Sequence, residues 1–412
     1  MHASVPAPRP SLADARAALE RVWGYSDFRY HQRKAVLAAI SGRDCLAVLP
    51  TGGGKSLCFQ VPALCLPSLT VVVSPLISLM QDQVSALRGR GVAAAYLSST
   101  QKPAVQTAVW RAVRNGELKL LYVAPERLGQ LAKPGAAPPP SLVAVDEAHC
   151  ISEWGHDFRP HFRALGGHVK ALGRPPILAL TATATPETRQ DVIRVLGLRR
   201  PVGILQSFDR PNLHFTARRF DRESQRLAAL YELLRTQRDG STIVYVPTRN
   251  RTDGVAALLR RRSFSAAPYH AGLPGSARRA LLERFLDGRI RIIVATSAFG
   301  MGIDKPDVRL VAHLGLPSRP EAYFQEAGRA GRDGEPARCE LLWCPGDVTL
   351  AARMARRSGT APSTGGKAHR LACRRGFATM RRYVLTRRCR RRLLLAYLGE
   401  RLKNCSGCDR CD

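Results

Sequence analysis

The chain has 412 residues, a formal net charge of +32 and 45% hydrophobic residues. This length exceeds what one core usually holds, so the chain is expected to form two domains and a remainder, and its apolar content excludes a wholly disordered chain. The 64 Lys and Arg residues against 32 Asp and Glu residues predict a polyanionic partner, nucleic acid above all.

The composition also bears on the compartment. No apolar run approaches the ~18 residues that a membrane helix needs, and the N-terminal segment lacks the apolar core of a signal peptide. The 11 cysteines are scattered and odd in number, and Cys45, Cys58 and Cys65 lie in apolar runs, unlike the cysteines of a disulfide-stapled secreted protein. We therefore expect an intracellular protein, in the cytoplasm or nucleoid of a bacterium or in a eukaryotic nucleus, with no membrane partner.

Short apolar runs alternate with helical spacing through the first half of the chain. The predicted strands are Cys45–Leu49, Leu69–Val73, Leu118–Val123, Leu142–Val145 and Ile177–Leu180. Stretches such as Ile77–Leu87 and Pro186–Leu196 have the period of a helix. This alternation is typical of a parallel α/β sheet with crossover helices, and residues 132–141 are predicted to form a loop.

The same pattern restarts after Gln206–Asn212, a candidate hinge. Further strands are predicted at Thr242–Val246, Ile290–Ala295, Leu310–Leu314 and Cys339–Trp343, so the chain is interpreted as two α/β domains in tandem, 1–207 and 208–346. A third domain, 347–412, is predicted to follow, with Ser358–Lys367 as a flexible link. Its basic character is pronounced, because residues 351–412 hold 17 Lys or Arg and only three acidic residues.

A glycine-rich segment follows the first predicted strand. It reads Thr51-Gly52-Gly53-Gly54-Lys55-Ser56 and precedes an apolar helical stretch. A glycine turn at a helix N-terminus presents N–H groups to phosphate, Lys55 would reach the β- and γ-phosphates of ATP, and the Ser56 hydroxyl would ligate Mg²⁺. Leu49 stands where the strict phosphate-loop pattern has its first glycine, and the alternative is an ordinary glycine turn followed by Lys and Ser.

A second element carries acidic residues. The run Leu142–Val145 ends in Asp146-Glu147-Ala148-His149. An Asp at the carboxyl end of a buried strand can hold Mg²⁺, and Glu147 is placed to orient or deprotonate the attacking water. Taken alone, the four residues could form a helix N-cap with acids in the first turn. Together with Lys55 they predict a site for nucleotide hydrolysis.

These segments, with Ser74–Leu79 and Thr181–Ala184, resemble the superfamily 2 helicases, and within them the RecQ DNA helicases. The resemblance covers roughly residues 20–412 and includes the following segments: Gly24-Tyr25, Phe28-Arg29, Gln32, Cys150–Ser152, Trp154–Pro160, Tyr269–Leu273, Ala298–Lys305 and Gln325–Gly334. It implies two RecA-like parallel-sheet domains followed by a small helical zinc-binding domain.

The resemblance also implies roles in the first domain. Tyr25 would stack on adenine, Gln32 would offer its amide to the base edge, and Arg29 lies alongside; the alternative is a surface cluster. Trp154, His156, Phe158 and Arg159 would form an aromatic-rich loop that binds single-stranded DNA and couples binding to hydrolysis. The alternative for Trp154 is a place in the core.

In the second domain the resemblance assigns Gln325, Arg329 and Arg332 to the ATP site. In the family this segment faces ATP bound by the first domain, and Arg329 and Arg332 would supply the arginine-finger function, with Arg329 as the first choice. The two arginines would share a face if the segment is helical, and the alternative is a solvated basic face. ATP would then close the cleft between the domains, and hydrolysis would open it.

Four cysteines near the end of the sequence have the spacing of metal ligands. Cys389, Cys405, Cys408 and Cys411 follow the pattern Cys-x15-Cys-x2-Cys-x2-Cys, with a predicted helix at Arg390–Leu402. Such thiolates favour Zn²⁺, while an iron–sulfur cluster or no metal are the alternatives and Cys373 is not expected to be a ligand. A basic face for duplex phosphate is predicted from Arg381, Arg382, Arg387, Arg388 and Arg390–Arg392.

The predicted function is an ATP-dependent DNA helicase of RecQ type that moves 3′ to 5′, acting in recombination, repair or replication with ATP, Mg²⁺ and Zn²⁺. Single-stranded and forked or junction DNA are the expected partners, whereas protein partners such as single-strand-binding and recombination proteins do not follow from the sequence. The sequence ends one residue after Cys411, so winged-helix and HRDC-type domains are expected to be absent. The rivals are an RNA helicase and a DNA-stimulated ATPase that remodels without efficient strand separation.

Overall fold

The structure is a computed structural model that describes residues 9–50, 52–154, 158–300, 304–360 and 366–411, without the side chains of 358–360. The chain divides into two compact units, Met1–Ser207 and Phe208–Asp412. The segment predicted as a zinc-binding domain lies within the second unit. Each unit is built around its own parallel sheet.

The strands of the first unit are β1 (Cys45–Val48), β2 (Thr70–Val73), β3 (Ala94–Leu97), β4 (Leu120–Val123), β5 (Leu142–Val145), β6 (Ile177–Thr181) and β7 (Val202–Leu205). Its helices are α1 (Leu12–Trp23), α2 (Tyr30–Ile40), α3 (Leu57–Cys65), α4 (Ile77–Gly89), α5 (Pro103–Arg114), α6 (Leu128–Leu131), α7 (Leu165–Ala171) and α8 (Pro186–Leu196). Short 3₁₀ helices lie at Pro125–Arg127, Ala148–Ile151 and Pro160–Ala164.

The first sheet has the strand order β3-β4-β2-β5-β6-β1-β7, with parallel pairing throughout. Val71 and Val73 of β2 pack with Phe162 in one core cluster, whereas Val72 packs with Phe59 in the cluster on the other face. Successive side chains of a strand point to opposite faces, and both faces are covered by helices. Strands β1, β2, β4, β5 and β6 are therefore buried along their whole length rather than alternating between buried and exposed positions.

The strands of the second unit are β8 (Leu213–Arg219), β9 (Ser241–Tyr245), β10 (Ala266–Tyr269), β11 (Ile292–Ala295), β12 (Val308–Leu314) and β13 (Ala337–Trp343). Its helices are α9 (Glu223–Thr236), α10 (Arg249–Arg261), α11 (Gly275–Leu286), α12 (Pro320–Ala327), α13 (Pro345–Thr360), α14 (Lys367–Leu385) and α15 (Arg390–Tyr397). These strands form a parallel sheet in the order β10-β11-β9-β12-β13-β8.

The C-terminal segment packs on the edge of this second sheet. Phe215 of β8 forms a β-bridge with Cys408, and the backbone N–H of Asp409 donates to the Phe215 carbonyl at 3.1 Å. The hydroxyls of Tyr323 in α12 and Tyr383 in α14 lie 3.1 Å apart in a buried contact. The cysteine-bearing segment therefore extends the core of the second unit.

The predicted fold class is confirmed, with differences at the ends of elements. Residues Ser358–Thr360 and Lys367 of the predicted flexible link belong to α13 and α14, because the Ala- and Arg-rich runs on either side favour a helix, and 361–365 lie outside the described residues. The helix predicted at Arg390–Leu402 ends at Tyr397, since Gly399 adopts a left-handed φ of 84°.

Every helix in the described part of the chain is too short or too polar to cross a bilayer.

Candidate functional site

Four adjacent strands of the first sheet carry the candidate site residues at their carboxyl ends. The order β2-β5-β6-β1 brings together Ser74, Asp146, the segment after Thr181 and the glycine-rich loop after β1. In parallel sheets, ligands bind beyond the carboxyl ends of the strands. The fold of the first unit thus gathers these segments at one edge of the sheet.

The glycine-rich loop has a backbone that only glycine adopts readily. Gly52 and Gly54 have φ angles of 81° and 70°. A Cβ added at Gly54 would lie 2.1 Å from Gln32 Nε2, and one at Gly53 would lie 2.9 Å from the Pro50 carbonyl oxygen. The loop therefore needs glycine both for its dihedral angles and for space. Thr51, which the sequence also predicts as a binding residue, lies outside the described residues.

Lys55 and Ser56 follow the glycines at the start of α3. The Lys55 ammonium donates to the Leu49 carbonyl at 3.4 Å, and Ser56 stands at the N-cap position of the helix. Leu49, which replaces the first glycine of the strict motif, is fully buried. Its Cβ lies 3.5 Å from the place of a Cβ at Gly53, and its carbonyl accepts the Lys55 hydrogen bond, so leucine at this position contacts the loop through both backbone and side chain.

Two of the predicted adenine-binding residues hold the loop directly. Gln32 is buried; its Nε2 donates to the Gly53 carbonyl at 3.0 Å, and its Oε1 accepts from the Arg29 N–H at 3.0 Å. Arg29 Nη1 donates to the Gly52 carbonyl at 3.1 Å. The Tyr25 ring is 57% exposed. A surface cluster is thus the wrong description of Gln32, and contact of Tyr25 or Gln32 with adenine stays a prediction.

The acidic pair follows β5 directly. Asp146 Oδ1 accepts from the Glu147 N–H at 3.0 Å, and Glu147 has a left-handed φ of 49°. Within the described residues the Glu147 side chain forms no capping bond to the 3₁₀ helix that follows, which argues against a simple N-cap. Burial, and then the neighbouring Glu147, raise the pKa of Asp146 to about 7, while Lys55 opposes the shift. Two carboxylates crowded in this way suit a divalent cation.

A buried histidine links the acidic pair to β6. His149 Nδ1 lies 2.8 Å from Thr181 Oγ1 and 3.3 Å from Glu147 Oε2. The sequence analysis gave His149 no role of its own and used Thr181 only as part of a family motif, so it missed this link. The signal was present, since a histidine inside an apolar segment needs a polar partner in the fold.

The aromatic-rich loop is attached to the end of β2. Arg159 Nη1 donates to the Pro75 carbonyl at 2.6 Å, and the Arg159 N–H donates to the Cys150 carbonyl at 3.0 Å. Trp154 and Phe158 are half-buried, so Trp154 is not a fully packed core residue. His156 lies outside the described residues.

In the second unit, Arg329 and Arg332 follow α12 rather than continuing it. The helix contains Gln325 and ends at Ala327, so the two arginines do not share a helical face. Arg329 is 5% exposed, and its guanidinium packs against Gly300 and Tyr245. Arg332 Nη1 donates to Asp304 at 2.7 Å. Burial, and then Arg329, lower the pKa of Arg332, so two buried cations lie close together. A solvated basic face is therefore the wrong description.

The four C-terminal cysteines converge. The sulfurs of Cys389, Cys405, Cys408 and Cys411 lie within 4.8 Å of one another, with 4.0 Å between those of Cys389 and Cys408. Zn–S bonds of ~2.3 Å in a tetrahedron imply sulfur–sulfur distances of about 3.8 Å. The cluster fits one tetrahedral ion and is too compact for an iron–sulfur cluster, whose thiolates surround several metal atoms. Cys373 lies elsewhere, with its sulfur 2.9 Å from Arg319 Nη2.

The predicted basic face needs a correction. Arg381, Arg382, Arg387, Arg388 and Arg392 are exposed, but Arg390 and Arg391 are 0% and 2% exposed. Arg390 pairs with Asp409 at 2.5 Å, and Arg391 pairs with Asp209 at 2.6 Å. A guanidinium can be buried when carboxylates and carbonyls satisfy its donors, so these two residues hold the segment to the second sheet instead of facing solvent.

Three family models match the chain. A DEAD/DEAH box helicase model matches residues 29–192, a helicase conserved C-terminal domain model matches 225–334, and a RecQ zinc-binding model matches 345–412. The matched ranges contain the glycine loop and acidic pair, the two arginines, and the four cysteines, respectively.

Curated relatives and solved structures give the same indication. The ATP-dependent DNA helicase RecQ of Haemophilus influenzae is 41% identical over 96% of this chain, and that of Synechocystis is 42% identical over 82%. The chain spans 63% of the first relative and 71% of the second. A crystal structure of the DUF1998 helicase MrfA bound to DNA and AMPPNP has a TM-score of 0.69 at 20% identity, covering 90% of this chain and 56% of MrfA. At that identity the likeness concerns the fold.

Proposed function

This chain belongs to the RecQ family of helicases, and on that premise we propose that it is an ATP-dependent DNA helicase that moves 3′ to 5′ along single-stranded DNA and unwinds duplexes. The observation that carries the proposal is that the glycine loop and the pair Asp146 and Glu147 lie at the same edge of the first sheet, at the carboxyl ends of β1 and β5, which only β6 separates. We place its work in recombination, repair or replication, in the bacterial nucleoid or the eukaryotic nucleus.

ATP is held, in this proposal, by the loop from Thr51 to Ser56. The left-handed glycines turn the backbone so that N–H groups and the Lys55 ammonium face the phosphates. Arg29 and Gln32 donate hydrogen bonds to the carbonyls of Gly52 and Gly53 and so hold the loop in place. Tyr25 offers an exposed ring for the base. Gln325 completes the proposed set of ATP-binding residues.

Hydrolysis is assigned to Glu147, Asp146 and the two arginines. Mg²⁺, when bound by Ser56 and Asp146, neutralises phosphate charge. Glu147 accepts the proton of the attacking water, and its orientation is fixed by a left-handed backbone and by His149. Arg329 and Arg332, with Arg329 as the first choice, supply positive charge to the transferred phosphoryl group, a contribution of ~10³–10⁵ in rate in other phosphate-transfer enzymes.

Single-stranded DNA is the proposed substrate of the aromatic-rich loop. A base stacked on an aromatic ring contributes ~1–3 kcal/mol and needs no particular sequence. Because Arg159 joins this loop to the end of β2, a strand bound at Trp154 or Phe158 acts on a segment next to the acidic pair. His156 is part of the same proposal. The exposed arginines of α14 and of the segment after it suit duplex phosphates.

Zn²⁺ is proposed as the ligand of the four converging cysteines, because their spacing and mutual distances suit one tetrahedral ion. A bound ion would join the segment after α15 to Cys389, which precedes this helix. We assign it a structural role, since four protein sulfurs would leave no position open for water or substrate.

The test is ATP-driven unwinding of a 3′-tailed duplex, with a 5′-tailed duplex and Lys55→Ala as controls. We expect the wild type to unwind only the 3′-tailed substrate and Lys55→Ala to lose ATPase activity while still binding single strands. DNA-stimulated ATPase activity without unwinding would indicate a remodelling ATPase instead. Stronger stimulation by RNA than by DNA would indicate an RNA helicase.

A further inference from the structure

Residues 328–332 are here called the arginine loop, and the side chain of Arg210 donates hydrogen bonds to three of its carbonyls. Arg210 precedes β8 and points its guanidinium at the loop carbonyls. Its Nη2 donates to Gly331 at 2.6 Å and to Ala330 at 3.1 Å, and its Nη1 donates to Gly328 at 3.4 Å. The Arg210 guanidinium therefore holds the backbone carbonyls that precede and follow Arg329 in the sequence.

Asn212 adds a second clamp to the end of the arginine loop. Its Nδ2 donates to the Gly331 carbonyl at 2.8 Å and to the Glu335 carbonyl at 2.9 Å. Gly331 has a left-handed φ of 54°, and a Cβ there would lie 2.5 Å from Asn212 Nδ2. Asn212 can therefore make this contact only because Gly331 has no side chain. Arg210 Nε, 3.3 Å from Asn212 Oδ1, joins the two clamps.

Arg210 is itself held from the zinc-binding segment. Arg391 of α15 donates through Nη2 to the Arg210 carbonyl, through Nη1 to the Leu213 carbonyl at 3.2 Å, and through Nε to Asp209 at 2.6 Å. Arg391 is 2% exposed, and it lies two residues after the proposed zinc ligand Cys389. A continuous hydrogen-bonded path thus runs from the metal-binding segment to the arginine loop, all within the second unit.

We propose that Arg210 is a positioning residue that sets the arginine loop for hydrolysis, and that Arg391 of the zinc-binding segment holds Arg210 in place. This inference rests on the proposed function of Arg329 and deepens it. The contact requires arginine. The two terminal nitrogens of the rigid, planar guanidinium donate to three carbonyls at once, whereas a lysine side chain has a single donor nitrogen.

The first test measures hydrogen exchange of the 328–332 amides in the zinc-loaded chain of 412 residues. We expect Arg210→Lys to raise exchange in this loop by about tenfold or more while the amides of β12 and β13 keep their rates. Arg391→Lys should change the same amides in the same direction, by less. The control is Arg238→Lys, at an exposed position after α9. Unchanged exchange in the loop, or a rise spread over the whole second unit, would overturn the proposal.

The second test is a double-mutant cycle on DNA-stimulated ATP hydrolysis. Arg210→Lys should lower kcat by about tenfold to hundredfold, as small misplacements of catalytic groups do, with KM for ATP within about twofold. Added to Arg329→Ala, it should cause no further loss, because the residue acts through Arg329. Additive losses would contradict the proposal. If the wild type shows no ATP hydrolysis, the proposed function fails, and the exchange measurement still decides the role of Arg210.

Discussion

Gly54 is required both for its backbone conformation and because the space beside it is occupied. The φ angle of 70° costs an L-residue ~1–2 kcal/mol, and the space that a Cβ would occupy is taken by the Gln32 amide at 2.1 Å. Gly52 has a similar φ of 81°, but apart from its chain neighbours no heavy atom of the described residues lies within 4 Å of the place of its Cβ. A comparison of substitutions at these two glycines therefore distinguishes the cost of backbone strain from the cost of a steric clash.

We predict that Gly54→Ala weakens ATP binding by at least about tenfold more than Gly52→Ala does. Both substitutions impose left-handed strain, but only the first displaces Gln32 from the Gly53 carbonyl. A tenfold difference corresponds to ~1.4 kcal/mol. Titration with a fluorescent ATP analogue would measure it, and thermal melting of both variants would check that each is folded. Equal affinities would mean that the Gln32 contact does not shape the nucleotide site.

The sequence predicts the residues of the candidate site better than it predicts their contacts. Lys55 and Asp146 are recognisable because a glycine turn and an acidic strand end are local patterns. The buried positions of Arg390 and Arg391 cannot be recognised in the sequence, because only folding brings their partners Asp409 and Asp209 next to them. A run of three arginines resembles a solvated face in sequence whether or not two of them are buried.

Among whole elements, the edge strands were the hardest to predict. The sequence indicated β1, β2, β4, β5 and β6 in the first sheet, but not β3 or β7, which lie at its two ends. In the second sheet it likewise missed β8 and β10, again the ends. Two of the four residues of β7 (Val-Gly-Ile-Leu) are exposed, and β10 contains Pro268, a residue that sheets accept mainly in edge strands.

The apolar residues of helix α15 are not regularly spaced along one face, and buried arginines hold this helix in place. Arg390 donates from Nε and Nη2 to Asp409, and from Nη2 to the Ala217 carbonyl of β8 at 3.2 Å. The helix is therefore fixed by charge-assisted hydrogen bonds as well as by Leu394 and Leu395, which are 1% exposed.

We predict that Asp409→Asn lowers the free energy of unfolding of the second unit by ~3–5 kcal/mol, because it leaves the buried Arg390 charge without its partner. For a unit of this size the midpoint of thermal unfolding should fall by about 2–4 °C per kcal/mol. Calorimetry with excess zinc, and a measurement of bound zinc, would separate the loss of the ion pair from loss of metal. The matched control is Arg388→Gln, an exposed position near α15. A midpoint unchanged to within a degree would mean that the pair contributes no stability.

On the scale of the whole molecule, the metal site belongs to only one of the two units. Cys408 pairs with β8, and Arg390 and Arg391 connect the same segment to residues 209–217. In small zinc domains, metal binding contributes ~10–16 kcal/mol of apparent folding free energy. Loss of the metal should therefore weaken the second unit and spare the first, whose sheet contains none of these contacts.

We predict that chelation of zinc makes residues 208–412 sensitive to protease while residues 1–207 remain resistant. The reason is linkage, since a ligand that binds only the folded unit stabilises that unit in proportion to its occupancy. Limited proteolysis read by mass spectrometry would locate the cuts, and added zinc should restore resistance. Cys405→Ser should reproduce the effect without chelator, whereas Cys344→Ser, a half-buried cysteine outside the cluster, should not. Equal degradation of both units would mean that the metal stabilises the chain as one cooperative body.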